Sequence, residues 1–338
     1  MKESKILVTG GAGYIGSHCL VALIKCGFHP IVIDNFCNSS KLVFDQIKKI
    51  TKKSINYYNF DITDKKKLEQ VFKKHNFLSV IHLAGLKSVL ESSKDPLKYF
   101  DNNILSSISL FECMKKHEVF ELIFSSSACV YNSNEPLPWS ETTKTGDTTN
   151  PYGTSKYIIE RILMDLSKSD KRWKIGIARY FNPISNHSSG LIGEDPKGIP
   201  NNLIPYITKV IRKDLPYLNI YGDDYKTKDG TGIRDYIHVM DLAEGHVKLL
   251  RYLIKIKGLE IFNFGSGNGY SVKDILKTFQ KYKNIKIPFK IKARRKGDLS
   301  VYYTTNLKAK NILNWKPKND INLMVKDLCK FINNLYAK

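Results

Sequence analysis

The stretch Gly10-Gly11-Ala12-Gly13-Tyr14-Ile15-Gly16 decides the fold of this 338-residue chain. It follows the apolar run Lys5–Val8 and opens an amphipathic segment, so it predicts a strand, a tight glycine turn and a helix. Gly10 permits the turn, Gly13 lets the backbone approach a pyrophosphate, and Gly16 allows close packing of the helix on the sheet. A pyrophosphate would lie at the positive end of the helix dipole. The pattern therefore predicts a dinucleotide-binding unit.

Short apolar runs alternate with longer amphipathic segments through the first half of the chain. Further strands are predicted at Pro30–Ile33, Ile55–Phe60, Ser79–Leu83, Glu121–Phe124 and Lys174–Arg179. Helices are predicted at Tyr14–Cys26, Lys65–His75, Ser106–Lys116 and Tyr152–Leu166. Continuous apolar strands separated by helices are typical of βαβ units around a buried parallel sheet. We therefore expect the α/β class, with a Rossmann-type doubly wound parallel sheet.

The pattern becomes less regular after residue 182, where Gly, Pro and Asn are common. Helices are predicted there at Asp241–Leu253, Val272–Tyr282 and Ile321–Leu335. We expect residues 1–182 to form a dinucleotide-binding domain. Residues 183–338 should form a smaller, mixed α/β substrate-binding region, with some segments returning to the sheet. Such a region would enclose a pocket beyond the carboxyl ends of the strands, where open α/β sheets bind their ligands.

Two carboxylates follow predicted strands near the glycine loop. Asp34 ends the second strand about 20 residues after the glycines, where a carboxylate accepts hydrogen bonds from adenosine ribose hydroxyls. It would repel a 2′-phosphate, so Asp34 favours NAD over NADP as the cofactor. The alternative for Asp34 is a turn or capping residue. Asp61 is placed either to contact the adenine or to cap the helix that follows it.

Tyr152 and Lys156 are spaced so that both side chains lie on one face of a predicted helix. A phenol has a pKa near 10, and lowering that pKa to about 7 requires about 4 kcal/mol of differential interaction. A neighbouring ammonium and the positive nicotinamide of NAD⁺ both favour the phenolate. Tyr and Lys at this spacing are often only part of an amphipathic helix. However, Ser125-Ser126-Ser127 follows Glu121–Phe124 at the same sheet edge, and a serine there can hold the oxygen that Tyr152 deprotonates.

Composition narrows the possible partners and location. Lys and Arg total 54 against 32 Asp and Glu, a net charge of +22, and they are scattered along helices as on a solvated surface. The six cysteines show no C-x-x-C pair and no metal-like spacing, which favours a reducing compartment. The sequence shows no signal peptide and no apolar run that could span a bilayer. We expect a cytoplasmic protein with no metal, membrane or nucleic-acid partner.

Longer stretches of the sequence resemble the UDP-glucose 4-epimerases, a family of extended short-chain dehydrogenases/reductases. The similarity covers nearly the whole chain, and Asn201-Asn202-Leu203 and Asp229–Leu242 are specific to epimerases. It is carried by Gly10–Gly16, Asp34–Ser39, His82–Lys87, Tyr152–Lys156, Arg179–Pro183, Gly193–Pro196, Ile199–Leu203 and Asp229–Leu242. The chain departs from the family pattern, outside the Ser-Tyr-Lys trio, at Leu83, Asn132 and Ile184-Ser185-Asn186.

The resemblance implies an isomerase that interconverts UDP-glucose and UDP-galactose. Tyr152 removes the proton of the sugar 4-hydroxyl, and the 4-hydrogen leaves as hydride to tightly bound NAD. The transient 4-keto sugar rotates, and hydride returns to its opposite face. By correspondence the catalytic residues are Ser127, Tyr152 and Lys156. The implied NAD contacts are Gly10, Gly13, Tyr14, Ile15, Gly16, Asp34, Asn35, Asp61, Ile62, Lys87, Asn102 and Tyr180. The implied UDP-sugar contacts are Asn182, Asn202, Leu203, Tyr221, Arg234, Arg295, Asp298 and Tyr302.

The guanidinium groups of Arg234 and Arg295 are suited to bind a diphosphate through paired hydrogen bonds, although each arginine alone is typical of a surface charge. The resemblance also implies that Tyr302 limits substrate size, so that UDP-N-acetylglucosamine is turned over poorly. A homodimer formed through Ser106–Lys116 and Tyr152–Leu166 is implied in the same way.

Two other functions stay open. A nucleotide-sugar 4,6-dehydratase or decarboxylase shares the scaffold, but elimination needs an acid beside the catalytic serine, and Ala128-Cys129 follows Ser127. A non-catalytic, NAD-sensing or nucleic-acid-binding protein would account for the +22 charge. The intact trio argues against this second alternative, as does the lack of helix-turn-helix, zinc or RNA-stacking motifs. His82, at the end of a predicted strand, is interpreted as a structural residue.

Overall fold

The computed structural model describes residues 4–195, 200, 202–295 and 297–336. Its strands are β1 Lys5–Thr9, β2 His29–Asp34, β3 Asn56–Asn59, β4 Phe77–His82, β5 Glu121–Ser127, β6 Lys174–Tyr180, β7 Asn182–Ile184, β8 Leu218–Tyr221, β9 Ile233–His238, β10 Gly258–Phe264, β11 Gly269–Ser271, β12 Phe289–Lys292 and β13 Val301–Tyr302. A seven-stranded sheet in the order β10-β6-β5-β4-β1-β2-β3 forms the centre, and all its strand pairs are parallel. The predicted α/β class with a doubly wound sheet is confirmed.

The helices connect these strands and cover both faces of the sheet. They are α1 Tyr14–Lys25, α2 Leu42–Thr51, α3 Lys65–Lys74, α4 Val89–Lys94, α5 Pro96–Phe100, α6 Ser106–Lys116, α7 Pro151–Ser169, α8 Leu203–Ile211, α9 Val239–Leu253, α10 Val272–Lys283, α11 Leu307–Leu313 and α12 Ile321–Tyr336. A π-helical turn, Asp101–Leu105, lies between α5 and α6. Among the described residues, no helix combines the length and the hydropathy that a bilayer span requires.

The central strands are apolar because both of their faces are buried. In β1, Ile6 and Val8 belong to a cluster formed with α1 and α9, whereas Leu7 belongs to a cluster formed with α3, α6 and α7. All three side chains are fully buried. This two-sided burial explains why the strands show continuous apolar runs rather than alternation.

The strand order reverses at β1, which lies between β2 and β4. The loops after β1 and β4 meet there, and a Cβ atom on Gly10 would lie 2.7 Å from the backbone nitrogen of Ala84. Gly10 also has a φ of +69°, which favours glycine. Ligands of such sheets bind outside the carboxyl ends of the strands at this reversal, so the fold indicates that the ligand site lies at this edge.

Residues after 182 build a second core and also extend the central sheet. Strand β9 pairs with β7, β11 and β13, while β8 pairs with β12. Apolar side chains of α8, α10 and α12 form the core of this part. Strand β10, in contrast, pairs in parallel with β6 along seven residue pairs and is the edge strand of the central sheet.

Candidate active site

The end of β5 and the start of α7 bring Ser127 and Tyr152 together. The Asn150 side chain caps α7 by accepting a hydrogen bond of 2.9 Å from the Gly153 amide, and Pro151 occupies the first turn. A Cβ atom on Gly153 would lie only 2.6 Å from the Cys129 carbonyl oxygen. Gly153 therefore allows the helix to begin directly beside the strand end, a role that the sequence pattern did not reveal.

Tyr152 is held as a neutral phenol by its surroundings. Burial raises the pKa of Tyr152 well above its usual value, and the neighbouring Cys129 acts in the same direction. The Ser127 hydroxyl is close enough to the phenol to lower that pKa in part. The predicted phenolate is thus not favoured by burial, and cationic neighbours must outweigh this effect before Tyr152 can act as a base.

Lys156 lies one helical turn after Tyr152 and is 4% exposed. Its ammonium donates a hydrogen bond of 2.8 Å to the Ser125 carbonyl and lies 4.9 Å from the centre of the Phe124 ring. Burial lowers the pKa of Lys156 to about 8, and the negative charge of Glu160 acts in the opposite direction. The ammonium is therefore fixed at the carboxyl end of β5, close to the predicted serine of the trio.

Behind this lysine, Glu160 forms a buried ion pair that the sequence analysis missed. Its carboxylate accepts hydrogen bonds from Ser126 Oγ at 2.5 Å and from Arg179 Nε and Nη2 at 3.0 and 2.7 Å. The side chains of Glu160 and Arg179 are 0% and 2% exposed. A carboxylate four residues after Lys156, on the buried face of the same helix, was the available signal.

At the nucleotide end, Asp34 is the last residue of β2, and its carboxylate faces the glycine loop. One of its oxygens accepts a hydrogen bond of 3.0 Å from the Ala12 amide, and the other accepts bonds from the Phe36 amide and Ser39 Oγ. The Asn35 amide donates to Asp61 at 2.8 Å, so these two predicted contacts form one group. Although burial raises the pKa of Asp61, hydrogen bonds from Thr63 and Asn35 lower it overall.

Helix α1 begins at the glycine loop, and its uncapped amino end is suited to bind an anion. Its first residue is preceded by Gly13, and no side chain caps its amino end. A Cβ atom on Gly13 would meet only the Gly10 carbonyl oxygen, at 3.3 Å, whereas one on Gly16 would lie 2.3 Å from the same oxygen. Gly16 is therefore required for packing, and Gly13 leaves the helix start open, as a bound pyrophosphate requires.

The loop after β4 and the π-helical turn each contribute one further predicted contact. Lys87 forms an ion pair of 2.6 Å with Glu194, and Asn102 lies in the π-helical turn. Neighbouring Asn103, which the sequence analysis missed, is buried and bonds the Leu86 amide and carbonyl and Ser155 Oγ. Asn103 therefore ties the loop after β4 to α7, and single π turns are frequent at functional sites.

On the other side of Tyr152, the predicted UDP-sugar contacts converge. Arg234 and Arg295 both donate to the carboxylate of Asp298. The guanidinium of Arg234 also lies 4.6 Å from the centre of the Tyr302 ring, and that of Arg295 lies 5.0 Å from the Tyr221 ring. Residues from β8, β9, β13 and the segment before β13 thus form one basic and aromatic cluster.

The structure connects this cluster with the Ser127-Tyr152-Lys156 trio. Cys129, two residues after Ser127, interacts electrostatically with Tyr152, Arg234 and Asp298. The Asn182 Oδ1 atom is buried and has no hydrogen-bond partner in the described part of the chain. A buried acceptor without a partner at the edge of such a cleft suits a ligand hydroxyl or amide.

Other predicted contacts lie further from the trio or are engaged elsewhere. The Tyr180 hydroxyl lies 2.5 Å from His246 Nε2, and the Tyr14 hydroxyl donates to the Ser185 carbonyl at 2.6 Å. Asn202 is exposed and precedes α8 without a side-chain capping bond. Three more predicted contacts pack in or against apolar clusters, and these are Ile15, Ile62 and Leu203. The motif residues Pro196, Ile199 and Asn201 lie outside the described residues.

His82 is a structural residue in this site. Its ring nitrogens lie 2.7 Å from Thr9 Oγ1 and 3.0 Å from Ser107 Oγ, so both nitrogens have partners. Burial, followed by the charge of Lys156, lowers the pKa of His82 to about 3. The neutral imidazole, with a hydrogen bond at each nitrogen, joins β1, β4 and α6 and is not available as a base.

A glycine loop at the reversal of the sheet and a Ser-Tyr-Lys trio at its carboxyl edge define a protein of the short-chain dehydrogenase/reductase class. The family described as GDP-mannose 4,6 dehydratase matches residues 7–328. The chain is 50% identical over 322 residues to UDP-glucose 4-epimerase of Pasteurella multocida (strain Pm70), covering 95% of each chain. It is 48% identical over 330 residues to UDP-glucose 4-epimerase of Neisseria meningitidis serogroup C, covering 98% of this chain and 97% of the relative.

A solved structure gives the same result in three dimensions. The structure of UDP-glucose 4-epimerase from Bifidobacterium longum in complex with NAD⁺ and UDP superposes with a TM-score of 0.95 at 46% identity, covering 98% of both chains. The chain belongs to the UDP-glucose 4-epimerase family.

Proposed function

We propose that the protein interconverts UDP-glucose and UDP-galactose and that NAD remains bound through the reaction. The proposal is supported by the Ser127-Tyr152-Lys156 trio together with two different groups that are suited to bind anions. One is the glycine loop at the start of α1, and the other is the pair formed by Arg234 and Arg295. This arrangement suits a site that holds a dinucleotide and a nucleoside-diphosphate sugar on either side of one phenol.

The residues present fit NAD. Gly10, Gly13 and Gly16 shape the loop for a pyrophosphate, and the Asp34 carboxylate would repel a 2′-phosphate. Asn35 and Asp61 would lie beside the adenosine, Lys87 would approach from the loop after β4, and Asn102 would approach from the π-helical turn. When bound, NAD would reversibly accept the hydride that leaves carbon 4 of the sugar.

The chain's own residues supply the acid–base chemistry. Tyr152 removes the proton of the 4-hydroxyl and later returns it, while the Ser127 hydroxyl holds the same oxygen. The Lys156 ammonium favours the phenolate by its positive charge. Arg234 and Arg295 hold the diphosphate as planar forks, and Asp298 keeps both guanidinium groups oriented towards one point. A fixed diphosphate keeps the sugar tethered while it turns.

The two halves of the chain divide this work. We assign NAD binding and the trio to residues 1–182, and UDP-sugar binding mainly to residues 183–338, with Asn182, Asn202, Leu203 and Tyr221 among the contacts. Tyr302, whose ring lies between this region and the trio, is proposed to exclude the bulky N-acetyl group of UDP-N-acetylglucosamine.

A homodimer is proposed for the assembly. Exposed apolar side chains lie together in sequence on α4, α5 and the π-helical turn, and both α4 and α5 pack against α7. Leu97 is 77% exposed and Leu105 is 50% exposed. Large apolar groups on one surface are typical of a protein–protein interface. The six free cysteines support a reducing compartment, and we propose the cytoplasm.

The test uses the purified protein with UDP-galactose and no added NAD. We expect UDP-glucose to form, and mass spectrometry will show an unchanged substrate mass. The wider family description names a dehydratase, so loss of one water from the sugar is the result that would replace this proposal with the dehydratase function.

Substitution of the phenol tests the role of Tyr152. Tyr152→Phe should lower kcat by roughly 10²–10⁴-fold, the usual contribution of a positioned acid–base group, and should retain bound NAD. Tyr157→Phe, on the same helix, is the matched control and should keep wild-type turnover. Activity of Tyr152→Phe near that of the control would show that another group is the base.

A further inference from the structure

Tyr302 is held in place by three contacts to its ring, one of them with Phe181, whose ring centroid lies 6.2 Å away. Its ring stacks on Trp139, with the centroids 5.7 Å apart and the planes inclined by only 8°. The guanidinium carbon of Arg234 lies 4.6 Å from the centre of the same ring. Arg234 is itself fixed by Asp298 and by the Ile233 carbonyl, so the position of Tyr302 depends on a rigid neighbour on the arginine side.

Trp139 is a rigid neighbour as well, because its backbone is bonded to the segment that carries Tyr302. The Trp139 amide donates to the Tyr303 carbonyl at 3.0 Å. The Trp139 carbonyl accepts from the Thr305 amide at 2.9 Å and from Thr304 Oγ1 at 2.8 Å. The indole N–H donates to the Glu135 carbonyl at 3.2 Å, and the side chain is 2% exposed. Backbone and ring therefore join the loop before α7 to β13.

The phenol of Tyr302 is close to the reacting group. It interacts electrostatically with Tyr152 and with Cys129, next to the catalytic serine. Burial raises the pKa of Tyr302 to about 12, so the group is a neutral phenol at physiological pH. A displacement of the Tyr302 ring therefore changes the space available to a sugar in front of Tyr152.

We propose that Trp139 is a positioning residue for substrate size: by fixing Tyr302 it restricts the site to UDP-hexoses with a free 2-hydroxyl and disfavours those with a 2-acetamido group. The proposal rests on the proposed function, in which Tyr302 excludes the N-acetyl group. In this proposal Trp139 contacts neither the sugar nor the cofactor, and it acts only by holding the Tyr302 ring in place. Without the indole, Tyr302 can rotate away and a larger sugar can enter.

The test compares kcat/KM for UDP-N-acetylglucosamine with kcat/KM for UDP-galactose. Trp139→Leu removes the aromatic partner, and we expect the ratio of the two values to rise by roughly tenfold, the scale of a changed pocket contact. Trp139→Phe keeps a ring for stacking and should leave the ratio within about threefold of wild type. If Trp139→Leu does not fold, as shown by its thermal unfolding, Trp139→Met fills the buried volume with a flexible side chain and replaces it.

Two further variants separate this proposal from the proposed function. Tyr302→Ala should itself raise the ratio, and Trp139→Leu should add nothing when Tyr302 is already Ala, because its effect passes through that ring. An unchanged ratio in folded Trp139→Leu, with a raised ratio in Tyr302→Ala, overturns the role of Trp139 and leaves the size limit at Tyr302 intact. An unchanged ratio in Tyr302→Ala overturns both.

Discussion

Glu160→Gln removes one charge from an ion pair that is buried on both sides. In the wild-type protein the carboxylate accepts two hydrogen bonds from Arg179 and one from Ser126. The side chains of Glu160 and Arg179 are 0% and 2% exposed, so water cannot replace the lost carboxylate charge. The substitution keeps the shape of the side chain and leaves the Arg179 guanidinium charged without a counter-ion.

The expected loss of stability is large because the remaining charge stays buried. Removing one partner of a buried pair costs roughly 3–5 kcal/mol, whereas an exposed pair contributes about 0–1 kcal/mol. Glu244→Gln is the matched control, since Glu244 pairs with Lys318 at 2.8 Å while their side chains are 46% and 63% exposed. Replacing Glu160 and Arg179 together with Met should recover much of the loss.

Urea unfolding at neutral pH and saturating NAD measures these differences, with the contribution of bound cofactor equal in all variants. We expect the free energy of unfolding to fall by several kcal/mol in Glu160→Gln and by less than about 1 kcal/mol in Glu244→Gln. Equal losses in the two variants would refute the view that Glu160 and Arg179 form an electrostatically essential pair.

The same variant has a second, independent readout in the pH dependence of turnover. Burial lowers the pKa of Lys156 to about 8, and the charge of Glu160 opposes this shift. If turnover needs the ammonium, kcat/KM is lost as the pH rises through the pKa of Lys156. Removing the Glu160 charge lowers that pKa further, so the alkaline limb of the profile should move to lower pH. A limb that stays in place, or moves to higher pH, contradicts this coupling.

Four other outcomes follow from the structure. Gly16→Ala should lower the free energy of unfolding by about 1–3 kcal/mol, because its Cβ would lie 2.3 Å from a backbone oxygen. Gly13→Ala should cost less than about 1 kcal/mol but lose NAD, measured as cofactor released per chain on denaturation. Arg295→Ala should raise KM for UDP-galactose about tenfold by losing a charged contact. Arg294→Ala, which removes an exposed neighbour, should not change KM. Leu97→Asp should shift the protein from dimer to monomer in sedimentation experiments, and an unchanged mass would exclude this surface.

The parts of the site that sequence could predict are those set by local spacing. The glycine loop lies between an apolar strand and a helix, and Tyr152 and Lys156 share a helix face whatever the rest of the chain does. The sheet class follows equally from the alternation of apolar strands and amphipathic helices. In these cases a few neighbouring residues determine the geometry, and the fold class agrees with the prediction.

Contacts between distant segments were not predictable from spacing. Arg234 and Arg295 are each typical of a surface charge, and only the pairing of β13 with β9 brings Arg234 to the local Arg295–Asp298 pair. Similarly, no local pattern shows that Ser185 has a φ of +76°. Its hydroxyl lies 2.9 Å from His238 Nε2 and donates to the Met324 carbonyl, bonds that help to offset the cost of that conformation.

The electrostatics of the trio indicate that a bound cation would help Tyr152 to act as a base. Burial raises the pKa of Tyr152, and burial also lowers the pKa of Lys156, so each group alone favours its neutral form. The fold limits the lowering of the Lys156 pKa in two ways. The ammonium donates a hydrogen bond to the Ser125 carbonyl, and the buried carboxylate of Glu160 lies one turn further along α7. One ammonium with this support must act against the desolvation of a partly buried phenol. We therefore predict that a second positive charge beside Tyr152, such as that of an oxidised nicotinamide, lowers the pKa of Tyr152 and favours proton removal.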